Sequence, residues 1–487
     1  MFTPARKLLN VPSAVFLTLL FLAAFLIRVW GTSKLHYWDE MAYLQNAQVI
    51  CCGKLNYSEL DFRPPLLSVI FAGVFLLWHH IYAACITAAF LNAVGPVFLF
   101  FAGRRAVGSL PAAIAALLLA FSPFFVGIFP DNFVSDDTGN SLLTDSPACT
   151  LLILSFWLLL RALDRPTALR FVCAGVSLSL CILMRFGSIP SVGMLLLLPL
   201  LSPVRWKGVA ACLSGMAAGL APYLLWSRLT YGAFLSTLRA GWRNVEGPTE
   251  PFLFYFHNAA TIFTPVAIAG LLICLVYQLY VFLHRSPITS AGPASPALTF
   301  PRHWIGAWLW LWLALGVLFF SSMPHKEPRY IMPLAAPVLL LAGLGLSLYQ
   351  AIRNKLLSIA AACCVAAMLV GTFLPVTSRL REPFLNPVSP QEELAAHYLQ
   401  SSLSPGTTLY MSFNYPVWAY YTNFRIHELS SIGPDLYRQM AQIPAGEVLI
   451  VYREAEAPSQ SDIDWVDASG KFARIATYPT FVIYRRV

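Results

Sequence analysis

Residues 65–77 read PLLSVIFAGVFLL, and whether this run crosses a membrane decides the architecture of the whole chain. As a helix, thirteen residues extend only about 20 Å, short of the roughly 30 Å of a bilayer's hydrocarbon core. The run is therefore expected to form a re-entrant or interfacial helix. On either side of it lie eleven longer apolar runs, at 11–30, 81–102, 110–129, 147–163, 168–184, 188–203, 208–228, 259–283, 303–322, 330–350 and 355–376. Lys and Arg gather in the short gaps between them: Arg6 and Lys7; Arg104 and Arg105; Arg161, Arg165 and Arg170; Arg205 and Lys207; Arg285 and Arg302; Arg353 and Lys355. If 65–77 does not span, all these gaps share one face, which the positive-inside rule makes cytoplasmic; if it does, every gap from Arg104 onward inverts.

Composition agrees with a polytopic membrane protein: 58% of the 487 residues are hydrophobic and 11% charged. The formal charge of +9 then concerns topology, and no nucleic-acid partner is implied. No small-residue cleavage site follows the first apolar run, so it reads as a retained anchor. Eleven spans put the N-terminus inside and the tail from about Val376 outside. The acids Asp39, Glu40, Glu59, Asp61, Asp131, Asp136, Asp137, Asp145, Glu246, Glu250 and Glu327 then fall on outer loops. The domains are expected at 1–376 and 377–487. The tail opens with a helical pattern at Pro390–Leu399, followed by strand-like runs at Thr408–Phe413, Val448–Tyr452 and Thr480–Tyr484, the pattern of a small α/β domain.

Three outer segments carry chemistry. In HYWDEMAYLQNAQ (36–48), Asp39 and Glu40 stand beside the bilayer, where carboxylates are costly without a task or partner. Met41, Leu44, Ala47 and Cys51 give the following helix an apolar face, Gly53 ends it, and Trp38 with Tyr43 fit a hydrophobic staple. The plainer reading makes Asp39 an N-cap; it does not account for Glu40, nor for Arg63 in DFRPPLLS (61–68), which is either a snorkelling arginine or a bidentate phosphate ligand. In MPHKEPRYIMP (323–333), Glu327 is an extended residue before a proline-opened helix. His325, Lys326 and Arg329 concentrate positive charge at that helix start and favour an anion. In NSLLTDSPA (140–148), Asp145 or Ser146 reads as a helix cap with Pro147 first in the helix.

An acidic pair after the first span, a cation before PPL, TDSP before a later span, a short basic loop ending RYIMP and an outer C-terminal domain together resemble the GT-C superfamily of integral-membrane glycosyltransferases. More narrowly, the chain is similar to bacterial relatives of the dolichyl-phosphate-mannose protein mannosyltransferases and of the lipid A aminoarabinose transferases. The resemblance implies an all-α polytopic GT-C fold with about eleven transmembrane helices, interfacial helices in the first outer loop and a small outer α/β domain, set in a bacterial inner or plasma membrane. It further implies a polyprenyl-phosphate sugar donor, inversion at the anomeric carbon, and an acceptor that is a glycolipid, polysaccharide or protein. On this chain Asp39 becomes the general base and Glu40 its orienting or acceptor-binding neighbour. Asp145 is the second acid, with Tyr43 beside the substrate, and Arg63, His325, Lys326 and Arg329 meet donor phosphate. One departure is that Met41, Ala42 and Tyr43 follow the acidic pair where the aminoarabinose transferases carry another basic residue.

The chemistry needs little else. A polyprenyl phosphate leaves as a stabilised anion, so cations rather than an acid assist it, and one base deprotonates the acceptor. No cofactor is expected. A divalent metal is not expected either, although Asp136 with Asp137 offers hard oxygen ligands. Of the ten cysteines most lie in apolar runs, and neither packing nor spacing gives them a chemical role; Cys51 and Cys52 have no metal-ligand pattern. A transporter or flippase is the alternative. It would place paired charges near mid-bilayer within repeated halves, and the sequence has no internal repeat.

Overall fold

The computed structural model describes residues 11–30, 38–55, 57, 60, 62–126, 142–243, 249–284, 303–381, 391–429, 434–453 and 460–487. Its contacts divide into two compact units, one of Met1–Thr32, Phe62–Leu66 and Cys85–Leu385, the other of Ser33–Asp61, Leu67–Ala84 and Asn386–Val487.

The first unit is a helical bundle. Seven helices among the described residues are long and apolar enough to cross a membrane: Ile81–Ala106, Asp145–Asp164, Arg205–Tyr231, Pro265–Leu283, Trp304–Ser322, Pro328–Ala351 and Lys355–Thr377. Shorter apolar helices at Ser13–Val29, Ser109–Phe121, Ala168–Met184 and Phe186–Leu201 occupy the other four expected runs. Its core is aromatic and aliphatic, with Phe156, Leu159, Trp312 and Leu339 fully buried.

Two local devices hold the bundle. Helix Ser109–Phe121 breaks before Pro123, which leaves its last carbonyls without helical partners. The buried Arg28 of α1 (Val11–Val29) supplies two of them, donating to the carbonyls of Leu119 (3.3 Å) and Ala120 (3.0 Å), and also reaches the Phe125 carbonyl (3.1 Å) in the next turn, Pro123–Val126. Helices Ala168–Met184 and Arg205–Tyr231 approach through glycines: a Cβ on Gly175 would lie 2.0 Å from the Cys212 carbonyl, and one on Gly215 2.1 Å from that of Val172. Backbones this close exclude a side chain. Gly215→Val should therefore lower the unfolding midpoint of the purified protein, at a cost of about 3 kcal/mol, the upper end of ordinary overpacking. An unchanged midpoint would mean that the two helices do not meet there.

In the second unit, α2 (Trp38–Cys52) and α3 (Leu66–Phe75) belong with the tail. α3 is ten residues long, shorter than a helix needs to cross the hydrocarbon core. Gly53, at φ +72°, ends α2 in the left-handed conformation that glycine tolerates. Met41, Leu44 and Ala47 are buried as the periodicity predicts, but so are Gln45, Asn46 and Gln48, so α2 has no wet face over these turns. Gln45 donates to the Leu55 carbonyl at 2.7 Å. Neither amide atom of Asn46 has a hydrogen-bond partner among the described residues. The tail forms a five-stranded sheet in the order β2-β1-β3-β5-β4, from β1 (Thr408–Met411), β2 (Arg425–Glu428), β3 (Val448–Tyr452), β4 (Phe472–Thr477) and β5 (Phe481–Arg486). β1 runs parallel to β2 and β3, and β5 antiparallel to β3 and β4. On β3, Val448, Ile450 and Tyr452 enter one core with Trp418 and Leu399, while Leu449 and Val451 enter another with Met440 and Val466. Helices thus cover both faces.

The cysteines depart from expectation in two ways. Cys51 and Cys52 are joined in a disulfide, and His79 Nδ1 lies 3.5 Å from Cys52 Sγ; with both sulfurs bonded to each other they are not thiolate ligands. Cys173, Cys363 and Cys364 point outward from their apolar helices instead of packing within the bundle.

Candidate functional site

The two units contribute separate groups of candidate residues. On α2, the helix begins at Trp38, so Asp39 and Glu40 both lie in its first turn, where carboxylates complement the helix dipole; Asp39 is not the N-cap. Glu40 is buried, Asp39 half-buried. Tyr43 is buried one turn further along the face of Asp39, and its carbonyl accepts from Ser68 Oγ of α3 at 3.1 Å. The same stripe continues to Asn46, two turns from Asp39.

In the bundle unit the basic loop is a charge cluster built around an acid. Glu327 is extended (φ −124°, ψ 149°) and precedes the 3₁₀ turn Pro328–Leu334, as its position before proline requires, but its carboxylate caps nothing. It pairs with Arg329, lies 3.0 Å from His325 Nε2, and accepts from the Tyr330 hydroxyl at 2.8 Å. The Tyr255 hydroxyl donates to the Glu327 carbonyl at 3.1 Å. Burial pushes the Glu327 carboxyl up, but the Arg329 charge and the hydrogen bonds from Arg329, His325 and Tyr330 outweigh it and hold the group below the ordinary carboxylate value. Burial raises the Tyr255 phenol.

Lys326 is 5% exposed and donates to the Glu250 carbonyl at 2.7 Å. A bridge between Thr249 and His325 and the Glu250 N–H bond to the Pro324 carbonyl (3.0 Å) hold these segments together. No carboxylate pairs with Lys326 among the described residues.

Asp145 belongs to the same cluster. It sits in the first turn of Asp145–Asp164, Thr144 preceding, so it is neither the cap nor followed by a helix-opening Pro147. It pairs instead with Arg185 Nη1 at 2.8 Å, and the Arg185 guanidinium stands 5.2 Å over the Tyr330 ring. Two cations (Arg185 and Arg329) thus pair with two carboxylates (Asp145 and Glu327), while Lys326 is held on the Glu250 carbonyl. Sequence reasoning missed Arg185, Tyr255 and Tyr330 as members. Arg185 carried a usable signal, a lone cation on a turn that the positive-inside reading assigns to the outer face; Tyr330 stands in the RYIMP run already quoted, and Tyr255 carried no signal. Arg63, in the same unit, stacks over Phe62 at 5.4 Å. Glu59, Asp61, Asp131, Asp136, Asp137 and Glu246 lie outside the described residues.

Residues 62–226 match the family model of dolichyl-phosphate-mannose-protein mannosyltransferases. The fold is similar to ArnT from Cupriavidus metallidurans bound to undecaprenyl phosphate, with a TM-score of 0.68 at 13% identity over 97% of this chain and 98% of that one. It is also similar to the oligosaccharyltransferase AglB from Archaeoglobus fulgidus in complex with an inhibitory peptide and a dolichol-phosphate, with a TM-score of 0.55 at 11% identity over 98% of this chain and 75% of that one. No curated protein matches the sequence.

Proposed function

We propose that the chain is a GT-C integral-membrane glycosyltransferase that moves a sugar from a polyprenyl-phosphate donor to a hydroxyl acceptor, with inversion, at the outer face of a bacterial plasma membrane; the family match over residues 62–226 and the shared fold support this reading. The observation that supports the donor assignment is Lys326: among the described residues this buried ammonium is held by the Glu250 carbonyl and meets no carboxylate to offset its desolvation, and a phosphate would supply that anion. Arg329, Arg185, His325 and Arg63 add positive charge. In the transfer the bond from the anomeric carbon to phosphate oxygen breaks, the acceptor oxygen bonds to that carbon from the opposite side, and Asp39 takes the acceptor proton, with Glu40 beside it. Asp145 acts through Arg185, and Tyr43 contacts substrate. None of these steps needs a cofactor or a metal; loss of turnover in excess chelator would count against that.

Labelled polyprenyl-phosphate sugar incubated with membranes tests the reaction class. Free polyprenyl phosphate should appear with labelled acceptor, whereas a flippase leaves the donor intact. A reporter fused after Val376 should read the outer compartment, and one after Arg105 the cytoplasm; the reverse would put the tail on the wrong face for this reading. Lys326→Met should stabilise the donor-free protein by removing an uncompensated charge, yet weaken donor binding by about 1.5–3 kcal/mol, the worth of a charge-assisted hydrogen bond. Unaltered donor affinity would leave Lys326 as a structural residue.

A further inference from the structure

The chain just beyond α2 is fastened to the tail. Lys54 Nζ donates to the carbonyls of Tyr420 at 3.3 Å and Thr422 at 2.5 Å, and the Tyr57 hydroxyl to that of Phe424 at 2.5 Å. These acceptors lie at and just past the C-terminal end of helix Tyr415–Tyr421, where carbonyls lack helical partners and the dipole is negative, so a cation is the matched donor. That helix also packs along α2. On the other side of Lys54, the Gly53 turn and the Gln45 bond to the Leu55 carbonyl lead directly back into α2.

We propose that Lys54 and Tyr57 are positioning residues through which the C-terminal domain holds α2, and with it the Asp39 carboxylate, in register for the acceptor hydroxyl. The proposal rests on the reading of Asp39 as general base. It gives the tail a role in catalysis without any contact to donor. Both side chains grip backbone carbonyls and neither belongs to the cores of the sheet, so the grip can be removed without emptying a core.

The experiment uses the full chain in detergent or nanodiscs, comparing wild type with the Lys54→Met/Tyr57→Phe double variant and with Lys54→Arg. Amide hydrogen exchange across Asp39–Cys52 should be roughly tenfold faster in the double variant, with β3 and β5 unchanged. Turnover should fall about ten- to hundredfold, as small misplacements of a catalytic group do, at unchanged donor half-saturation. Lys54→Arg, which keeps a cation over the two carbonyls, should restore most of both. Unchanged exchange in α2 overturns the proposal, as does faster exchange with undiminished turnover. Failure of the underlying reading looks different: Asp39→Asn itself would then turn over at the wild-type rate.

Discussion

Asp39→Asn is expected to insert, fold and bind donor as the native chain does, and to turn over about two to four orders of magnitude more slowly, the usual loss on removing a general base. Asparagine keeps the shape and a polar oxygen, so a first-turn residue that merely stabilises α2 would survive the change with a small loss. The measurement is single-turnover release of polyprenyl phosphate alongside donor affinity. Near-native turnover with an inert Glu40→Gln would exchange the roles of the pair. Activity in both would remove the mechanism.

Glu327→Ala should be the most damaging change to the basic loop's stability. It removes the Glu327 carboxylate from Arg329, 8% exposed, and from the Tyr330 hydroxyl and His325, so a cost of about 3 kcal/mol is expected, as for breaking a buried pair from one side. Denaturant unfolding in detergent measures it. The pH dependence has a definite sign. Folding lowers the Glu327 pKa from 4.5, so its contribution is complete above that value and is lost as the pH falls below it through the folded value. The gap between wild type and Glu327→Ala should therefore be level from neutrality to about pH 5 and close below it. A gap that widens in acid would mean that Glu327 is not the carboxylate neutralising Arg329.

How much of this was legible in the sequence varies by physical cause. The apolar runs were, because hydrocarbon burial leaves long unbroken stretches, and 65–77 was separated from them by length alone. β3 was, because a central strand buried on both faces is apolar throughout: Val448–Tyr452 is VLIVY. β2 and β4 were not. They are the sheet's edges, mostly exposed, and RIHE and FARIAT have no core-facing pattern to read. The burial of Gln45, Asn46 and Gln48 was invisible for a related reason: period 3.6 assigns polar residues to water, and only tertiary packing overrides it. For Asp145 and Glu327 the local backbone was approximately legible, but their partners were not. Arg185 is 40 residues from Asp145, and the Tyr255 that reaches Glu327 is 72 away, so no local pattern records either.

The fastening of α2 also sets a schedule for synthesis. Lys54 and the Thr422 carbonyl it grips are 368 residues apart. At about 5–20 residues per second, roughly 20 to 70 s separate the translation of the two. Through that interval the nascent chain carries a helix with buried amides and a carboxylate pair but not the element that holds it. A ribosome stalled between about residues 377 and 420 would release a chain that has its long apolar helices but not the carbonyls that Lys54 and Tyr57 grip, with helix Trp38–Cys52 unsupported.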